Sequence, residues 1–317
     1  MTCWYVGASD RTMDDVDGRE QMANYLGPIV NGPRRLRELL VSAAPVLAPG
    51  VYDALGARLV EAAGFGAVYM TGFGTAASLL GRPDVGLVTM SEMVDQAHRI
   101  ARACALPVIA DADTGYGNAI NVVRTVQEFE QAGVAGIHLE DQITPKKCGH
   151  MDRKQVISTE EMLTKLRAAT TARQSPDLMI IARTDARAVE GLPAALDRAR
   201  RYRDAGADML FVEAATSEEE IETIATTLSD VPLLFNWAEG GKTPPIPYER
   251  LRQLGFALVI FPISTLLTSV AAIRRALAEI AAAGSPIPIM DTLPPFAEFL
   301  EFIGLPEINQ LEQQFLS

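Results

Sequence analysis

A chain of 317 residues, 48% hydrophobic and 21% charged, can bury a large core, which excludes a disordered protein. Its 40 acidic side chains against 28 lysines and arginines leave a net charge of -12. That argues against nucleic acid as a partner, because phosphate neutralisation needs clustered cations. A small anionic substrate is not excluded, since it responds to local charge rather than the total.

Residues 1–25 carry Asp10, Asp14, Asp15, Asp17 and Glu20 and no apolar stretch, so neither a secretory signal nor a typical transit peptide is expected. No run of about 18 apolar residues could span a bilayer, so no membrane partner is expected. Cys3, Cys104 and Cys148 cannot all pair within one chain and lack metal-ligand spacing, which suits a reducing, cytoplasmic setting. From about residue 34 a unit repeats: a short apolar run, a polar loop and an amphipathic helix. The runs lie at 45–48, 67–70, 107–110, 136–139, 179–182, 209–212, 232–235 and 258–261. Each is too short for a buried helix and suits a strand buried on both faces. Helical patterns lie between them at 91–102, 122–132, 159–173, 192–205 and 217–228. Ser158-Thr159-Glu160-Glu161 and Thr216-Ser217-Glu218-Glu219 carry N-cap signatures, with acids where the helix dipole favours them. Ala132-Gly133 and Ala205-Gly206 end helices as a glycine C-cap does.

Eight such units predict an α/β fold, a (β/α)8 barrel over 34–284. A doubly wound sheet is the alternative, but it seldom needs eight regular units. Residues 1–33 form an N-terminal extension of weak periodicity. Residues 285–317 open with Pro286 and Pro288, then carry Phe296, Leu300, Ile303 and Leu311 in an amphipathic stretch. This predicts a C-terminal helical segment docked on its own barrel or a neighbour's.

In a barrel, the C-terminal ends of the strands converge on one mouth. Here they are Tyr52-Asp53, Thr71-Gly72-Phe73-Gly74, Asp111-Ala112-Asp113, Glu140-Asp141, Arg183-Thr184-Asp185, Glu213, Asn236 and Ser264. Loop capping explains one or two of these, not charged or amide groups at five successive ends. The loop Lys146-Lys147-Cys148-Gly149-His150 joins a thiol, two ammonium groups and an imidazole. Alone it reads equally well as an ordinary surface loop. Beside those strand ends, its thiol becomes a proton donor or nucleophile, and its cations hold an anionic substrate. His150 would serve as a cation or tune the thiol.

Asp111, Asp113 and Glu140, without a histidine cluster, make an all-oxygen site that suits Mg²⁺ or Mn²⁺ rather than zinc. Asp84 could join them through water. Arg183 and the amides of the Thr71-Gly72-Phe73 turn are candidates for a substrate carboxylate. Gly240-Gly241-Lys242-Thr243 is not a phosphate loop: its first glycine would fall at Asn236, and Pro244 and Pro245 replace the helix. Gly115-Tyr116-Gly117 lacks the third glycine of a dinucleotide fingerprint. His98 reads as a surface residue and His138 as a satisfied core histidine.

Taken together, these motifs resemble the isocitrate lyase / phosphoenolpyruvate mutase superfamily. The resemblance covers about 34–285 and is carried by Tyr69-Met70-Thr71-Gly72, Leu80-Gly81-Arg82-Pro83-Asp84, Asp111 to Asn118, and Leu139-Glu140-Asp141-Gln142. It continues through Lys146 to His150, Ala182 to Ala186, Phe211 to Ala214, and Glu239 to Pro244. The resemblance implies a barrel assembled as a homotetramer, with the C-terminal segment exchanged between paired subunits. It implies Mg²⁺ on Asp111 and, through water, on Asp113, Glu140 and Asp84, under a mobile cysteine gate.

It also implies a C–C lyase acting on a 2-hydroxy di- or tricarboxylate of the 2-alkylmalate or 2-methylisocitrate type, releasing pyruvate or another 2-oxo acid. In that reading Cys148 is the acid, with Glu213, Arg183 and His150 around it and Tyr69 as a base relay. Thr71, Gly72 and Phe73 cradle the pyruvyl carboxylate, and Lys147 and Gly149 belong to the substrate-binding loop. Asn236, Pro262 and Ser264 line the pocket for the second fragment. Phe73 and Trp237 are bulkier than the family pattern and are expected to reshape that pocket. The alternatives are a phosphonomutase, an oxaloacetate hydrolase or decarboxylase, and a catalytically silent carboxylate-binding protein.

Overall fold

A computed structural model describes residues 31–316. Its elements alternate as the repeat predicts: α1 (Gly32–Leu40), β1 (Val46–Val51), α2 (Ala54–Ala62), β2 (Val68–Met70), α3 (Gly72–Leu80) and α4 (Met90–Ala103). Then come β3 (Val108–Asp111), α5 (Ala119–Gln131), β4 (Gly136–Glu140), α6 (Thr159–Ala172), β5 (Met179–Thr184), α7 (Arg187–Glu190) and α8 (Leu192–Asp204). They are followed by β6 (Met209–Val212), α9 (Glu218–Thr227), β7 (Leu234–Asn236), α10 (Tyr248–Gln253), β8 (Leu258–Phe261) and α11 (Ser264–Ala283). All the paired strands are parallel, in the order β6-β5-β4-β3-β2-β1-β8-β7. A parallel bridge between Leu210 and Leu233 joins the two ends, so the sheet closes into the expected (β/α)8 barrel.

The caps follow the local chemistry. Ser158 and Ser217 accept from the backbone amides of Glu161 and Glu220, with acids in both first turns. Gly133 and Gly206 follow their helices at φ 90° and 101°, a region that L side chains rarely adopt.

Strand alternation builds two cores. Val46, Ala48, Tyr69, Ile109, Ile181, Met209, Phe211, Leu258 and Ile260 fill the barrel interior. Val68, Val108, Ala110, Ile137, Leu139, Ile180 and Leu210 face the other way and pack with helix residues such as Phe129 and Leu166. The inward set sets the parity of the mouth. Continuing it by steps of two along each strand reaches Asp111, His138, Glu140, Arg183, Glu213 and Asn236.

The described residues through Arg275 form one compact unit, and those from Ala276 belong to another. The division falls inside α11, upstream of the boundary expected at 285. The second unit continues with a 3₁₀ turn (Ile287–Thr292), α12 (Phe296–Phe302) and α13 (Leu305–Leu316), and none of these elements buries a residue. Of the expected extension 1–33, residues 1–30 lie outside the described residues, and Gly32 already opens α1.

Candidate active site

A cavity of ≈ 230 Å³ opens at the strand ends. Tyr69, Thr71, Phe73, Asp84, Asp111, Cys148, Gly149, His150, Arg183, Glu213, Asn236 and Pro262 line it, all of them among the residues singled out from the sequence. Asp113 and Glu140 are buried and not among its lining. Gly72 opens α3, where an added Cβ would collide with the Asp111 carboxylate. The Thr71-Gly72-Phe73 segment is therefore no free turn. Thr71 caps α3 by accepting from the Gly74 amide at 3.1 Å, so the amides of Gly72 and Phe73 are first-turn donors without helical acceptors.

Three expected positions fall elsewhere. Lys147 turns away and donates its Nζ to the Arg153 carbonyl at 3.3 Å. Its neighbour Lys146 reaches the cavity instead, with Nζ 2.7 Å from Asp84 Oδ2 and 2.7 Å from Asp113 Oδ1. The approach to Asp113 is an ion pair without hydrogen-bond geometry. Ser264 does not line the cavity; its hydroxyl donates to Glu239, which does. Trp237 has outward parity, packs near Phe261 at 6.4 Å, and donates its indole N–H to the Ile246 carbonyl. It does not shrink the pocket. Phe73 alone of the two bulky departures reaches it.

Against its burial, Asp111 is held below the usual carboxylate range by His138, Lys146 and Arg183, but two other acids are short of positive charge. Burial, followed by Asp111 and Asp84, pushes Asp113 up to about 7 against the pull of Lys146. Burial, then Asp185 and Asp111, hold Glu140 well above the usual carboxylate range against Arg183. Both Glu140 oxygens are buried without a hydrogen-bond partner, although Arg183 Nε lies 3.2 Å from Oε2. Orphaned, crowded hard oxygens fit a divalent cation. Among the described residues no three ligating side chains converge on one point, so water and substrate must complete its shell.

The loop between β4 and α6 supplies the thiol. The Cys148 amide donates to the Asp84 carbonyl at 3.1 Å. Burial, with Asp84 and Glu213 adding to it, pushes the thiol up to about 11, so it is protonated at neutral pH. An added Cβ on Gly149 would strike Glu213 and Arg183, so this close approach requires glycine. His150 Nδ1 accepts the Lys242 amide at 3.0 Å, and Nε2 lies 3.3 Å from Glu213 Oε1. His150 thus bridges the Lys242 backbone and Glu213, beside the thiol loop. Asn236 Nδ2 donates to both Glu213 oxygens at 3.3 and 3.2 Å.

Several positions at or beneath the cavity were missed. His138 is fully buried, as expected of a core histidine, but it is not satisfied. Its Nδ1 has no partner, Nε2 is 2.8 Å from the Tyr69 hydroxyl, and Asp111 Oδ1 lies at 3.6 Å. Burial lowers its pKa to about 4, which keeps it neutral. Its spacing of two from Glu140 on one strand was the available signal. Met151, Ala238, Glu239, Gly240, Gly241 and Ile263 complete the wall. Thus the dismissed glycine pair is no phosphate loop, yet it does border the site. His98 is exposed on α4, as expected.

Comparison with known proteins agrees with this geometry. The family described as phosphoenolpyruvate phosphomutase matches residues 36–281. A 2,3-dimethylmalate lyase from Eubacterium barkeri is 46% identical, over 90% of this chain and 99% of that protein. A 2-methylisocitrate lyase from Aeropyrum pernix is also 46% identical, over 88% and 90% of the two chains. A crystal structure of 2,3-dimethylmalate lyase superposes with a TM-score of 0.85 at 39% identity, covering 91% of this chain and 96% of that one. A phosphonopyruvate hydrolase structure with oxalate and Mg²⁺ gives 0.83 at 30% identity, covering 91% and 100%. The fold, the mouth motifs and these similarities converge: the chain belongs to the phosphoenolpyruvate mutase/isocitrate lyase superfamily.

Proposed function

We propose that the protein is a Mg²⁺-dependent carbon–carbon lyase. It cleaves a 2-hydroxy di- or tricarboxylate, of the 2-alkylmalate or 2-methylisocitrate type, to pyruvate or another 2-oxo acid and a second carboxylate. The observation that carries this reading is a protonated thiol, Cys148, sharing one cavity with Asp111, Arg183 and Glu213. Such a cleavage needs a base for the 2-hydroxyl, charge stabilisation for an enolate, and an acid for the departing carbanion.

Asp111, Asp113, Glu140 and Asp84 would hold the cation, directly or through water. When bound, Mg²⁺ supplies Lewis-acid stabilisation of the oxygen where charge develops; Mn²⁺ shares the oxygen preference. The first-turn amides of Gly72 and Phe73 cradle the 2-oxo acid carboxylate. Tyr69, its hydroxyl 2.8 Å from His138 Nε2, is placed to relay the hydroxyl proton away from the substrate. Cys148 then protonates the α-carbon of the leaving carboxylate, a task that a thiol held at about 11 performs as acid rather than as nucleophile. Glu213, clamped by Asn236 and facing His150 and Arg183, orders the groups beside that thiol. Phe73 and Pro262 bound the space for the second fragment.

The reading extends to a cytoplasmic homotetramer with the C-terminal segment exchanged between subunits. Exposed Phe296 and Ile287, at 75% and 72%, support a partner for that segment. Among the described residues no helix is long and apolar enough to cross a membrane. The test is Cys148→Ser. Turnover is expected to fall about 100-fold or more while oxalate binding with Mg²⁺ is retained. Undiminished turnover removes the thiol from the chemistry.

A further inference from the structure

Lys154, on the returning limb of the gate loop, is not part of the chemistry described above and does not line the cavity. Its ammonium is nonetheless buried, with its side chain 1% exposed. It donates to the Gly149 carbonyl at 2.5 Å and to Asp185 Oδ1 at 2.6 Å. Gly149 is the residue after the thiol. Asp185 is a fixed point: its amide is held by Asp141 at 2.8 Å, and its carboxylate receives Arg183 through Nε at 2.9 Å and Nη2 at 3.2 Å. One ammonium thus ties the backbone beside Cys148 to the anion that orients Arg183.

We propose that Lys154 is the positioning residue of the gate. It holds the cysteine loop down over the mouth and couples that closure to the orientation of Arg183. Asp185 is shared between Arg183 and Lys154, so the ion pair alone would leave the loop backbone untouched. The bond to Gly149 is the one that turns an ion pair into a latch. Without it, Gln142 still clasps Lys147 through both its amide and its carbonyl, and Asp84 and Lys242 still touch the tip, so the loop loosens rather than unfolds. The idea adds to the lyase reading a claim about how its acid is placed, and the thiol can be read without any turnover.

The experiment uses the full-length protein, Lys154→Met and Lys154→Arg, with iodoacetamide labelling mapped by peptide mass spectrometry and Cys104 as the internal reference. In Lys154→Met, Cys148 labelling is expected to rise about tenfold relative to Cys104, because a locally opened loop exposes it. Protection by oxalate with Mg²⁺ is expected to be lost. On a substrate that the wild type cleaves, kcat is expected to fall about 100-fold, as misplacing an acid by an ångström does. Lys154→Arg keeps charge and donors, and is expected to keep the slow labelling. An unchanged ratio of Cys148 to Cys104 labelling in Lys154→Met overturns the proposal. So does a parallel rise of both thiols, which marks a general loss of fold. If no substrate is ever found, the lyase reading fails while the labelling still decides the latch.

Discussion

Replacing Lys146 with methionine isolates the charge balance beneath the mouth. Its ammonium lies 2.7 Å from both Asp84 and Asp113, and lysine and acids are all buried. Removing one partner of a buried pair leaves uncompensated charge, at a cost of about 3–5 kcal/mol. For a domain of this size that corresponds to roughly 6–10 °C in Tm. A divalent cation supplies positive charge to the same carboxylates, so it should offset part of the loss. The assay is thermal unfolding of wild type and Lys146→Met at pH 8, in EDTA and in saturating Mg²⁺. The variant is expected to melt far below wild type in EDTA, with a gap that Mg²⁺ narrows. Equal melting in EDTA, or a gap that Mg²⁺ leaves unchanged, refutes the charge argument.

The remaining expectations follow from single residues. Asp113 is pushed to about 7, above the value of an unfolded aspartate. A raised acid stabilises the fold below its unfolded pKa and loses that contribution as pH rises through about 7. Stabilisation by Mg²⁺ should therefore be larger at pH 8 than at pH 6; pH-independent shifts in the same melts contradict this. Trp237→Ala removes an indole outside the cavity, so it should lower Tm while leaving the preference between substrates unchanged. Phe73→Ala should change that preference; a steady-state comparison of the two variants giving the reverse outcome would contradict the placement of the two rings. Asn236→Ala unclamps Glu213 and should lower kcat about tenfold or more with little effect on Tm. A pure loss of stability would make Asn236 structural.

Much of the fold was legible because parallel strands buried on both faces stand out as short apolar runs between helices. The mouth was legible because reactive side chains at successive strand ends have no packing role. What escaped has physical reasons. The helix α3 opens on Gly72 and Gly74, poor helix formers, and reads as a turn until its cap at Thr71 is seen. Lys146 and Lys147 are equivalent on paper, and only the loop's path decides which one faces the acids. His138 passed as a core residue because an inward strand position beneath the mouth is as buried as the core itself. Trp237 was expected to fill the pocket, yet it sits one residue past inward Asn236, where period-two alternation turns it outward. Lys154 carried no signal, because its partners are a backbone carbonyl and a carboxylate distant in sequence.

The central claim is tested most directly by pyruvate release in a coupled assay, with Mg²⁺ and with EDTA. The substrates would be 2,3-dimethylmalate, other 2-alkylmalates, 2-methylisocitrate, isocitrate and oxaloacetate. The account predicts cation-dependent pyruvate from an alkylmalate or from methylisocitrate, abolished by EDTA. Turnover of oxaloacetate alone, or silence on every hydroxy acid while oxalate still binds, would contradict it.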